Sequence, residues 1–169
     1  MFIIMFSKYV LFLFLCFLSS MLLLPLEAKA QLADITITET QQMNFGRIIR
    51  VDPRRDFIVL SPNGVATSTT GRSIVAGATQ AAQFTATGEP NTAFNISFGN
   101  NSGRAFLDGD LDRLRLDQFT SSLGTTPAFG PTGQVNFTVG SRLRARSQNN
   151  NRDPSGVYSG TYNATVEYQ

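Results

Sequence analysis

Beyond residue 30, apolar side chains recur at every second position over most of the chain. The clearest run is residues 156–169, where Tyr158, Tyr162, Ala164, Val166 and Tyr168 share one parity and Ser159, Thr161, Asn163, Thr165 and Glu167 the other. Successive side chains of a strand point to opposite faces, so this pattern predicts one long closing strand with a buried and a wet face. Residues 33–40 alternate likewise, with Ile35 and Ile37 against Thr36 and Thr38. Met43 and Phe45 keep the rhythm up to Gly46, which permits a bend or bulge. Polar residues 50–56, with Pro53, predict a loop. The β-formers of residues 57–60 run into Ser61-Pro62-Asn63-Gly64, whose Asn-Gly pair is a strong hairpin signal, with a return strand over 65–70.

Between Gly71 and Gly77 the small residues around Ile74 and Val75 read as a turn region. Ala82, Phe84 and Ala86, then Phe94, Ile96 and Phe98, alternate on either side of Gly88-Glu89-Pro90-Asn91, which predicts a second hairpin. Residues 103–112 are polar and predict a flexible loop. Leu114, Leu116 and Phe119 mark a strand, and residues 125–133, with Pro127 and Pro131, a loop. Val135, Phe137 and Val139 alternate again, and after Gly140 come Leu143 and Ala145 between Arg142, Arg144 and Arg146. Residues 148–155 form an Asn-rich loop. Short strands separated by turns, with no sustained 3.6-residue period, predict an all-β antiparallel sandwich or barrel. No internal repeat and no second domain is evident, so residues 31–169 are expected to form a single domain.

The first thirty residues belong to a different class. Lys8 precedes a nearly unbroken apolar run over residues 10–26, and Ala28-Lys29-Ala30 supplies small residues two apart. That is the build of a cleaved signal peptide, with cleavage expected before Gln31 and no membrane span afterwards. The competing reading is an uncleaved anchor, since the run approaches the roughly 17–25 residues of a spanning helix; Pro25 and the Ala-x-Ala site favour cleavage. Cys16 lies deep in the run behind Leu15, which does not suit a lipid-anchor site.

Removing that segment alters the chemistry available. The only cysteine and both lysines leave with it, and what remains has twelve basic residues, all arginine, against eleven acidic ones, with no Cys, His, Lys or Trp. Ser-His-Asp and Cys-His pairs, Schiff-base lysines, zinc sites of the usual N/S kind and disulfides are therefore all excluded. The near-neutral balance gives no general pull towards nucleic acid. The expectation is a protein that is not an enzyme and carries no cofactor.

A few constellations invite chemistry nonetheless. Asp108, Asp110 and Asp112 alternate in a glycine-containing loop, but an EF-hand starting at Asp108 needs glycine where Arg113 stands and glutamate where Phe119 stands. The plainer reading is an acidic turn balanced by Arg113 and Arg115. The acidic residues show no pairing that points to a glycosidase. Arg142, Arg144 and Arg146 share one strand face and form a candidate row for an anionic ligand; the same row would serve as a wet face or guard a sheet edge. The tyrosines of the closing strand share parity with Ala164 and Val166, which favours core packing over sugar stacking. Asn95, Asn136 and Asn163 head glycosylation sequons, which matter only in a eukaryotic secretory pathway, and a bacterial source is expected.

Five short motifs follow one another: Met43-Asn44-Phe45-Gly46, Leu60-Ser61-Pro62-Asn63-Gly64, Phe84-Thr85-Ala86-Thr87-Gly88-Glu89-Pro90, Phe137-Thr138-Val139-Gly140 and Tyr158-Ser159-Gly160-Thr161-Tyr162. Together they resemble a family of exported bacterial domains catalogued as a domain of unknown function. More distantly, the early Phe-Gly and the closing Gly-x-Tyr strand are similar to the spore-coat-U and archaic chaperone–usher pilins, though the cysteines common there are missing. That resemblance implies an immunoglobulin-like sandwich assembled into surface fibres. The expected partners are then copies of itself, other surface subunits and a periplasmic chaperone. If assembly proceeds by strand donation, residues 33–40 are the candidate donor, with Ile35 and Ile37 as knobs; otherwise they are the domain's own first strand. The alternative function is a monomeric secreted carbohydrate-binding module.

Overall fold

The structure, a computed structural model, describes residues 31–52, 54–100, 102–109, 112–145 and 155–169. The predicted signal peptide lies outside the described residues. Leu32–Gln169 form one compact unit. Its strands are β1 (Thr36–Gln41), β2 (Arg47–Arg50), β3 (Phe57–Leu60), β4 (Ala66–Ser68), β5 (Ser73–Ala76), β6 (Ala82–Thr87), β7 (Phe94–Phe98), β8 (Ala105–Asp108), β9 (Arg113–Ser121), β10 (Gln134–Arg144) and β11 (Ala164–Tyr168). All pairings are antiparallel, and the described residues contain no helix.

β10 is the axis of the larger layer. One of its edges pairs with β6 through residues 134–139 and then with β3 through 141–144, while β9 takes the other edge. The hand-over falls at Gly140, where a Cβ would collide with the Leu60 carbonyl oxygen, so only glycine lets the two backbones meet there. β1 and β4 close the two ends of the sheet, and β8 extends it beyond β9. The second layer consists of two separate pairs, β7–β11 and β2–β5.

Two apolar clusters lie between the layers. Phe84, Phe94, Phe129, Phe137 and Val139 form one, covered by Ile96, Val166 and Tyr168 of the β7–β11 pair; Phe94 and Phe129 meet at 4.5 Å and Phe84 and Phe137 at 5.4 Å. Ile58, Leu60, Leu114, Leu116 and Leu143 form the other, covered by Ile48 and Val75 of the β2–β5 pair. Met43, Phe119 and Tyr162 touch both clusters. With β1-β6-β10-β9 facing β7-β11 across the aromatic cluster, the domain is an antiparallel β-sandwich.

Several local expectations need correction. Residues 82–98 are not a hairpin: β6 pairs with β1 and β10, and β7 with β11, so residues 88–93 arch from one layer to the other. Asn91, at φ 56°, makes the left-handed step in that arch. Residues 73–76 are a strand rather than a turn, paired with an unforeseen strand at 47–50. Residues 105–108, expected to be loop, pair with β9. The closing segment is not one continuous strand. Ser159 exchanges backbone hydrogen bonds with Asp108 before the chain crosses to β7, and regular pairing covers only β11. Even so, Tyr158, Tyr162, Ala164, Val166 and Tyr168 all face inward and their neighbours outward, as the alternation requires. The Asn-Gly turn is as expected: the Gly64 amide donates to the Ser61 carbonyl at 2.9 Å and Gly64 sits at φ 81°.

Candidate functional site

Residues 42–50 and 155–162 run along the two sides of a groove of about 900 Å³. Its floor is the second cluster, with Phe45, Leu107, Leu114, Leu116, Leu143 and Ala145; Met43 and Ile48 line one wall, Tyr158 and Tyr162 the other, and Glu39, Arg47 and Arg50 reach its rim. The geometry follows from topology. Residues 42–46 leave the larger sheet after β1 and cross to β5, where β2 pairs. Residues 155–162 run along the opposite side, where Ser159 bridges Asp108. Gly160 is required there, because a Cβ would strike the Phe106 carbonyl. Among the described residues no strand lies between the two walls.

β11, which follows the groove wall in the chain, carries an open backbone edge. The Asn163 carbonyl accepts from the Gly99 amide at 2.8 Å, and the Gln169 amide donates to the Ala93 carbonyl. Antiparallel alternation therefore turns the amides and carbonyls of Thr165 and Glu167 towards β7 and those of Ala164, Val166 and Tyr168 outward. Among the described residues no strand pairs with that outward edge. β7 is better protected, since its Phe94 amide donates to the Pro127 carbonyl at 3.0 Å.

A clasp of side chains ties β1 to the closing segment. The Tyr162 hydroxyl donates to Glu39 Oε1 at 2.9 Å, and the Tyr168 hydroxyl donates to the Ala33 carbonyl at 2.5 Å while accepting from the Glu89 amide at 2.7 Å. Burial, reinforced by the Glu39 carboxylate, pushes the Tyr162 phenol well above its ordinary value. A buried tyrosine ring needs a partner for its hydroxyl, and Glu39 supplies one. Ile35 and Ile37, the candidate donor knobs, here pack against the aromatic cluster of their own domain, with Ile37 opposite Ala86 in the β1–β6 register.

The arginine row is committed inside the sheet at its first member. Arg142 Nε donates to Asp117 Oδ1 at 2.7 Å, and its guanidinium lies 4.4 Å from the centre of the Phe57 ring. Arg115 holds the other Asp117 oxygen at 2.8 Å. Burial alone would raise the Asp117 carboxyl, but the two guanidiniums outweigh it and hold it below the usual range. Arg144 belongs to the same strand, and Arg146 lies outside the described residues. In the acidic turn, Arg113 Nε binds Asp108 Oδ1 at 2.6 Å, whereas Arg115 is turned to Asp117; Asp110 lies outside the described residues. Among the described residues there is no group of three or more potential metal-ligating side chains, and no helix is long and apolar enough to cross a membrane.

Sequence reasoning missed Glu39 and Asp56. Glu39 shares the parity of Ile35 and Ile37, and a carboxylate on an apolar face is itself a signal that it meets a polar partner. Asp56 is wholly buried and accepts from the Phe57 amide at 2.7 Å, Ser68 Oγ at 2.7 Å and Thr70 Oγ1 at 2.9 Å, which pins the β3–β4 hairpin from inside.

Fold and groove together define an all-β antiparallel sandwich with one open strand edge. The chain belongs to the domain family of unknown function DUF4402, whose model matches residues 35–168. Neither the comparison with curated proteins nor that with solved structures gives a match.

Proposed function

We propose that the protein is an exported structural subunit of a surface fibre, assembled by β-strand pairing between copies. The observation that supports this is the groove itself: an apolar floor between two walls that, among the described residues, do not pair with each other; the outward edge of β11 is a second place where a strand could pair. An extended segment gains main-chain hydrogen bonds along an open edge and buries alternate side chains on an apolar floor. The absence of His, Cys and Lys beyond residue 30 accords with a scaffold rather than a catalyst. The exported route, through a periplasm to the cell surface with a chaperone covering the groove on the way, rests on the first thirty residues and on the pilin-like resemblance.

The segment of a neighbour best suited to the groove is residues 33–40. Ile35 and Ile37 supply two knobs of one parity, and Asp34 and Glu39 offer charges to Arg47 and Arg50 at the rim. Within one chain the same segment is β1, so donation requires it to leave β6 and the tyrosine clasp. Deleting residues 31–40 tests this. A folded monomer that no longer forms fibres under electron microscopy supports donation. An unfolded product shows that β1 belongs to its own domain, and undiminished fibres show that some other segment fills the groove.

A further inference from the structure

The β2–β5 ribbon turns one face to the core and leaves the other bare. Ile48 and Val75 pack inward, so alternation sends Arg47, Ile49 and Val51 outward together with Ile74, which is registered opposite Ile49. Ile49, Val51 and Ile74 are 40, 59 and 53 % exposed, well beyond what strand residues on a covered face show. Isolated exposed aliphatics are ordinary, but Ile49 and Ile74, registered opposite each other, with Val51 just beyond the end of β2, form a patch. The adjoining loop brings Arg54 and Arg55, both exposed, to the same end: the Val51 amide donates to the Arg72 carbonyl and Arg72 Nη1 to the Arg55 carbonyl. The two acids of this stretch are engaged elsewhere, Asp52 by Arg72 at 3.4 Å and Asp56 by the hydroxyls of the interior. The result is an aliphatic patch beside an excess of guanidinium.

We infer that this face docks on an anionic lipid surface. Guanidinium groups pair with phosphate oxygens through parallel N–H donors. The aliphatic side chains between them lose their contact with water only if they enter the boundary between headgroups and acyl chains. A polyanionic glycan would satisfy the arginines but leave Ile49, Val51 and Ile74 wet, and without an aromatic ring the patch has nothing to stack on a sugar. The aliphatic patch lies on the outer face of the ribbon and the groove floor on its inner side, with Arg47 at the border between them, so docking and strand addition use different apolar surfaces.

The test is co-sedimentation of the full chain, purified from its expressing cells, with phosphatidylglycerol–phosphatidylcholine vesicles and with phosphatidylcholine vesicles alone. Binding is expected to the anionic vesicles only, to weaken with salt, and to fall roughly 25-fold in Arg54→Gln/Arg55→Gln, about fivefold for each charge. Ile49→Thr/Ile74→Thr keeps strand propensity while removing the apolar surface, and is expected to lose binding as well while its melting temperature stays within a few degrees of the parent. Failure to bind anionic vesicles, or equal binding to phosphatidylcholine alone, overturns the inference. So does full retention of binding by the isoleucine variant accompanied by capture on heparin beads, which would make the face a polyanion site instead.

Discussion

Replacing Asp56 by alanine removes the one carboxylate that is completely buried among the described residues. Its oxygens accept three hydrogen bonds, from the Phe57 amide, Ser68 Oγ and Thr70 Oγ1, and Ser68 Oγ in turn accepts from the Gly71 amide. Hydrogen bonds to a charged acceptor contribute about 1.5–3 kcal/mol each. The sum overstates the loss, because Thr70 is exposed and Ser68 only half-buried, so their hydroxyls can turn to water in the variant. A destabilisation of about 3 kcal/mol is expected, a large share of the roughly 5–15 kcal/mol typical of a domain. With a urea slope near 2 kcal/mol/M, that moves the unfolding midpoint down by about 1.5 M. Asp56→Asn keeps the shape and one acceptor and should lose only about 1–2 kcal/mol.

The pH dependence gives an independent check on Asp56. Burial by itself favours the neutral acid, but hydrogen bonding from Ser68, Thr70 and the Phe57 amide prevails and holds the carboxyl below its ordinary value. The folded protein therefore takes up this proton less readily than the unfolded chain. The stabilisation is complete above the unfolded pKa of about 3.9 and is lost as pH falls through the lower, folded value. The gap between the parent and Asp56→Asn should thus be constant near neutrality and narrow below about pH 4. An alanine variant within 1 kcal/mol of the parent, or a gap that stays constant down to pH 2, would refute the role given to this carboxylate.

Three further substitutions probe packing and the clasp. Phe94 is fully buried against Phe129, and Phe94→Ala should lose about 3–5 kcal/mol by chemical denaturation; half-exposed Phe57, truncated the same way, should lose markedly less. Gly140→Ala forces a methyl onto the Leu60 carbonyl and should lower the melting temperature by several degrees, whereas Gly124→Ala, with open space around it, should leave it unchanged or slightly raised. Tyr162→Phe keeps the ring between Phe84 and Phe119 but removes the bond to Glu39; it should lose about 1 kcal/mol and speed amide exchange in β1 more than in β6.

Much of the fold is legible because strands alternate. The tyrosine parity of residues 158–168 survives although pairing there is broken, since parity depends on local backbone extension and not on which neighbour is present. Leu114, Leu116 and Phe119 break step in the sequence for a reason that the structure supplies: the β9–β10 register shifts there and Gln118 stands at φ 48°, so Phe119 turns inward again. The arch at residues 88–93 was illegible, because two apolar-faced strands joined by a short turn look the same whether they pair in one sheet or face each other across a core. β2 and β5 escaped notice because Arg47-Ile48-Ile49-Arg50 and Ser73-Ile74-Val75-Ala76 lack a two-residue alternation, their outer faces being apolar as well. The groove could not be read at all from residue patterns. It depends on which edges the topology leaves without a neighbour, a non-local property that residues 42–50 and 155–162 acquire only when both are folded.

The most direct test of strand addition uses cysteines, which residues 31–169 lack. Two differently tagged chains are mixed during assembly, one carrying Ile37→Cys on the candidate donor and the other Ile48→Cys on the groove wall, and then oxidised. Each chain has a single introduced thiol, so a disulfide between the two tags can arise only when one copy's segment enters the other's groove. Strand donation predicts that the mixed, cross-linked pair accumulates in fibres and disappears when the donor also carries Ile35→Asp, which keeps the thiol at residue 37 but spoils the apolar knob beside it. Fibres that form with no mixed pair would contradict it.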